Sequence, residues 1–117
     1  MESLNPSIID SWHAHVYFGA SSVDAARALR ETIETELAGR VDLGRFHERP
    51  VGPHPTWSYQ LAFAPARFPD VVSWLALNHE GLDVFIHPNT GDELRDHRDC
   101  ALWLGRSYAL NLAALAE

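Results

Sequence analysis

A chain of 117 residues is long enough for one hydrophobic core and too short for two. Hydrophobic residues make up 46% and charged residues 21%, an ordinary globular balance that argues against a disordered chain. Nine basic against sixteen acidic residues leave a formal charge of −7, which repels phosphate backbones and anionic lipid surfaces, so neither nucleic acid nor membrane is an expected partner.

The seven histidines gain charge as pH falls, so this exclusion holds best at neutral pH and above. Cys100 is the single cysteine. It permits no intrachain disulfide and no cysteine-rich zinc module, which suits a reducing compartment. Residues 1–10 read as a lead-in, with Pro6 opposing regular structure and no basic segment followed by an apolar run. No apolar stretch approaches the ~18 residues of a membrane span. The expectation is a cytoplasmic protein of one domain, residues 1–117.

Residues 12–18 alternate, with Trp12, Ala14, Val16 and Phe18 on one face and His13, His15 and Tyr17 on the other. A period of two with aromatic and β-branched residues predicts a strand, and the first set is taken as its core face. Ser21 or Ser22 offers a helix N-cap. Val23, Ala26, Leu29, Ile33 and Leu37 follow at helical spacing, and Gly39 ends the run. Residues 41–51 read as a weaker strand, broken by Gly44. Gly52-Pro53-His54-Pro55 is a loop, because prolines cannot continue a ladder.

Trp57, Tyr59, Leu61 and Phe63 alternate as a third strand. Residues 68–78 predict a second helix, residues 82–87 a fourth strand, and Pro88-Asn89-Thr90-Gly91 a turn. Asp96 is read as the N-cap of a C-terminal helix over residues 99–104, with Trp103 and Leu104 as core. The tail, residues 109–116, is apolar enough to pack on the domain or on a partner.

The order β-α-β-β-α-β predicts an α+β, ferredoxin-like sandwich with an antiparallel sheet in strand order 4-1-3-2 and helices on one face. The first strand is then central, and His13, His15 and Tyr17 point to the face those helices leave open. Two imidazoles at i and i+2 lie ~7 Å apart at their Cα atoms and can converge on one ion. The fourth strand runs antiparallel beside the first. By parity His87 shares a face with Asp83 and Phe85, opposite Leu82, Val84 and Ile86, so it joins His13 and His15. Three such ligands with open positions suit a ferrous, zinc or similar ion.

His54, in its Pro-flanked loop, is expected toward the far end of the first strand, as a group supporting the ligands or touching substrate and not a ligand itself. His97 follows the Asp96 cap and is weighed equally between a role and a surface position. Glu48 and Asp83 are the carboxylates best placed to replace one histidine in the set. His47 and His79 are taken as surface residues. Ser107 and Tyr108 lack nucleophile context, and no phosphate loop or dinucleotide fingerprint is present.

The segments Trp12-His13-Ala14-His15-Val16-Tyr17-Phe18, Gly52-Pro53-His54-Pro55, His87-Pro88-Asn89-Thr90-Gly91 and Asp96-His97 with Trp103-Leu104-Gly105 together resemble the DOPA 4,5-dioxygenase family of small extradiol-type enzymes. The resemblance runs from about residue 8 to 112, in order and at similar spacing. It implies a ferredoxin-like domain, commonly a homodimer, that opens the ring of DOPA or a related catechol such as caffeate with O2 at a nonhaem Fe(II). Zinc can take the place of iron in purified protein.

Carried onto this chain, His13, His15 and His87 are the metal ligands, His54 and His97 the catalytic proton-transfer residues, and Tyr17 a substrate-binding ring that packs on the catechol. Two alternatives stand beside this reading. One is a non-enzymatic, dimeric ferredoxin-like protein binding a small molecule or metal. The other is a structural or zinc-storage protein, which would have a closed four-ligand site.

Overall fold

The alternation of β1 (Ser11–Phe18) sorts its side chains between two unlike environments. Ala14, Val16 and Phe18 are buried in the main core, with Trp12 packed at its edge, while His13, His15 and Tyr17 occupy the opposite face. The computed structural model describes residues 1–115.

After β1 come α1 (Val23–Glu36), β2 (Asp42–Leu43), β3 (Trp57–Phe63), α2 (Phe68–Leu77), β4 (Asp83–Asn89), α3 (Glu93–Arg98) and β5 (Leu102–Leu104). The strands form one antiparallel sheet in the order β2-β3-β1-β4-β5. The expected order 4-1-3-2 is therefore present, extended by a fifth strand at the β4 edge. Ala14 pairs with Leu61 and Ile86, and Val16 pairs with Tyr59 and Val84. Those pairs form the layer onto which α1 packs Ala26, Leu29 and Ile33, and α2 packs Val71 and Leu75. Burying each of the leucine, isoleucine and valine side chains contributes about 1.5–3 kcal/mol.

Four local expectations change. Residues 41–51 form only the two-residue β2. Gly44 adds one hydrogen bond to Gln60 (2.8 Å) and His47 exchanges two with Ser58 (3.0 and 3.2 Å), so this edge is an interrupted strand. Ser22 stands at the N-cap of α1, but its hydroxyl accepts from the Gly19 amide at 2.9 Å and does not cap the helix. Pro6 begins a 3-10 turn, Pro6–Ile8, a position that proline tolerates because its missing N–H is not needed there.

The largest change lies near the C-terminus. The expected helix over 99–104 is instead the short α3 followed by β5, which adds to β4 with Trp103 opposite Phe85. Asp92, not Asp96, caps α3, accepting from the Arg95 amide at 3.1 Å. A three-residue strand has no periodicity to read. It forms because the outer edge of β4 offers unpaired backbone groups.

The tail folds back on the domain. The Asn111 amide donates to the Pro53 carbonyl at 2.8 Å, and Leu110 and Leu112 line a cavity of about 150 Å³ with His97, Trp103 and Tyr108. Ala116 lies outside the described residues.

Candidate metal centre

The register of β1 and β4 sets His13 directly opposite His87 and His15 opposite Phe85, all on the side away from α1 and α2. The ligating atoms of His13, His15 and His87 lie within 4.8 Å of one another, and the Nε2 atoms of His15 and His87 are 3.0 Å apart. Two nitrogens each about 2.1 Å from one ion lie roughly 3–4 Å apart, so the three side chains fit a shared ion with little movement. Among the described residues no other group of three or more His, Cys, Asp or Glu side chains converges in this way.

The chemistry of the donors agrees with their spacing. Burial pushes the His87 imidazolium down to about 3, and burial with the neighbouring imidazoles holds His15 well below its ordinary value. His13, half-buried at the rim, is lowered by burial and then by His97. All three are thus neutral near pH 7, the state in which imidazole offers a lone pair. The His87 Nδ1–H donates to the Pro88 carbonyl at 3.0 Å, which leaves the lone pair on Nε2, facing His15.

Two further histidines flank this group. His97, on α3, stacks its ring 3.9 Å from that of His87 and donates Nδ1–H to the Glu93 carbonyl at 2.7 Å. Its Nε2 is left with a lone pair. His54 enters from the far end of β1, where Thr56 donates to the Phe18 carbonyl at 2.9 Å. Its loop, tied to the tail through Pro53, turns back over the open face and sets its ring 4.1 Å from that of His15. Its Nδ1 is 2.7 Å from the Tyr17 hydroxyl, and burial pushes its imidazolium down to about 4.

Tyr17 is only 1% exposed. Trp103 and Tyr108 pack edge-on against its ring at 5.8 and 5.0 Å, so the ring is covered and its hydroxyl is the part that reaches the histidines. Burial raises its phenol above the ordinary value.

The carboxylates considered as substitutes are engaged elsewhere. Glu48 pairs with Arg27 on α1 at 3.2 Å. Asp83 accepts from the Tyr108 hydroxyl at 2.7 Å and the Arg106 amide at 2.8 Å. Neither joins the histidine group. His79 donates Nδ1–H to the Leu82 carbonyl at 2.6 Å, and His47 pairs with Ser58 through its backbone; both are half-buried and neither joins the three-histidine group.

Sequence reasoning missed the aromatic wall. Phe85 stacks on Trp103 at 4.7 Å and Trp103 on Tyr108 at 5.9 Å, beside the histidines. The parity that placed His87 also marks Phe85, whereas Trp103 enters only through the unforeseen pairing of β5.

Residues 12–114 match the Dopa 4,5-dioxygenase family. The chain belongs to that family. It is 35% identical to a DOPA 4,5-dioxygenase of Amanita muscaria across 98% of its own length, and spans 54% of that relative. It is 32% identical to an uncharacterised 21.2 kDa protein of Botryotinia fuckeliana across 96% of its length, spanning 67% of that protein. A crystal structure of a presumed dioxygenase from Nostoc punctiforme superposes with a TM-score of 0.93 at 46% identity, covering 97% of each chain. The α+β fold with its antiparallel sheet is thus common to this family member and that solved structure. No helix among the described residues is long and apolar enough to cross a membrane.

Proposed function

We propose that this member of the Dopa 4,5-dioxygenase family is an extradiol-type dioxygenase that opens the ring of DOPA or a related catechol with O2 at a mononuclear nonhaem Fe(II). The observation that carries the reading is the convergence of His13, His15 and His87, all neutral, on one face of β1 and β4. These three would hold the ion, and three protein ligands would leave positions for substrate. Bound there, Fe(II) supplies Lewis acidity to the catechol oxygens and one-electron chemistry to dioxygen.

The protein's own share is positioning and proton handling. Trp103 and Tyr108, half-buried and backed by the fully buried Phe85, give the neighbourhood an apolar lining suited to a ring. His54, against His15, and His97, against His87, would be the groups that meet the hydroxyls of a catechol bound at the ion. The family resemblance also carries the expectation of a homodimer, which sedimentation velocity measures directly.

The test is anaerobic reconstitution with Fe(II), then oxygen and a panel including DOPA and caffeate. The expected result is a yellow ring-opened semialdehyde from at least one catechol. If none forms from any catechol while iron is bound, the reading fails.

A further inference from the structure

The Tyr17 hydroxyl and His54 Nδ1 lie 2.7 Å apart, a short contact in which either group can be the donor. A phenol has one proton and two lone pairs, while a neutral imidazole carries its proton on one nitrogen only. Tyr17 is almost fully buried, and among the described residues His54 is the only hydrogen-bond partner of its hydroxyl. If His54 donated from Nδ1, the phenolic proton would be buried without an acceptor, which costs the full desolvation of that donor. If Tyr17 donates, only oxygen lone pairs go unused, which is the cheaper arrangement.

The neighbouring hydroxyl offers no relief. Tyr108 already donates to Asp83 at 2.7 Å and accepts from Arg106 at 3.0 Å. On the other side of the triad His97 has the opposite constraint, since a carbonyl can only accept and so its proton is on Nδ1.

We propose that Tyr17 is a positioning residue that fixes His54 as the Nε2–H tautomer, so that His54 is a hydrogen-bond donor to an anionic catechol oxygen and His97 is the proton acceptor. The role toward a catechol rests on the function proposed above; the tautomers do not. A neutral imidazole held in this way stabilises negative charge without giving up its proton, as donors aimed at a developing oxyanion do. The two flanking histidines then differ at Nε2, which carries an N–H in His54 and a lone pair in His97.

The test is two-bond 1H–15N correlation NMR on the full chain, uniformly 15N-labelled and treated with chelator at neutral pH. The expected spectrum has His54 in the Nε2–H pattern and His97 in the Nδ1–H pattern. In Tyr17→Phe, which keeps the ring and its packing, the His54 pattern should shift toward a mixture while His97 is unchanged. An Nδ1–H pattern for His54 in the wild type, or an unchanged His54 pattern in Tyr17→Phe, overturns the proposal. In iron-loaded protein acting on a catechol, Tyr17→Phe should lower kcat by up to ~100-fold with little change in KM. A chain that opens no catechol but keeps these patterns removes the catechol role and leaves the tautomer assignment intact.

Discussion

His15 is the residue on which most of the site converges. It lies at the centre of β1, its Nε2 is 3.0 Å from that of His87, and its ring contacts those of His13 and His54. Its neighbours cannot replace it, because His13 sits two residues along the strand, at the more open rim. His15→Ala is therefore expected to lower bound iron from near one per chain to a small fraction and to abolish turnover. Metal analysis of the variant, with circular dichroism as the fold control, checks this. Normal iron loading would remove His15 from the ligand set.

At the scale of elements, the site depends on α3 as much as on the strands. Asp96 is 2% exposed and accepts from both the amide and the hydroxyl of Thr90, each at 2.7 Å, which pins α3 to the turn after β4. His97 is the next residue, so this carboxylate sets where its ring meets His87. Asp96→Ala leaves the Thr90 donors without their acceptor and should cost about 1–3 kcal/mol in chemical denaturation. Because the triad stands on β1 and β4, metal affinity should fall much less than turnover. Equal loss of both would mean that α3 supports the ligands themselves.

A similar dependence runs through Gly105, at φ 80°, where a Cβ would collide with the Asp83 carboxylate. Glycine there lets the chain leave β5 and bring Arg106 and Tyr108 back to Asp83. The aromatic wall is thus assembled by a turn that a larger residue would strain.

For the whole molecule, a cluster of buried neutral histidines ties stability to pH. In the unfolded chain each takes a proton near its ordinary 6.5, whereas burial holds His54 to about 4 and His87 to about 3, with His15 also well below. Between those values the unfolded state binds more protons, so stability rises with pH. The contribution is fully present above about 6.5 and is lost as pH falls through 4 toward 3. Thermal melts of chelator-treated protein should show Tm falling steadily from pH 7 to pH 4. A flat profile across that window would mean that the histidines are not buried as neutral groups. Bound metal, which requires the same neutral imidazoles, should steepen the loss because protons compete for the ligands.

Much of this was present in local patterns. The period-two alternation of residues 12–18 and 82–87 assigned His13, His15 and His87 to one face, because side chains on a strand have no other choice. Helical spacing placed α1 and α2, and the element order implied which strands are neighbours, hence that the three histidines meet. What local pattern could not carry were contacts made between segments far apart in sequence. The pairing of β5 with the edge of β4, the return of the His54 loop over the open face, and the burial of Tyr17 beneath Trp103 and Tyr108 all arise from backbone and apolar groups seeking partners across the fold. The sequence by itself determined which histidines share a face. Only the tertiary structure decided which nitrogen of His54, His87 and His97 is free, because that depends on the carbonyl or hydroxyl brought against its other side.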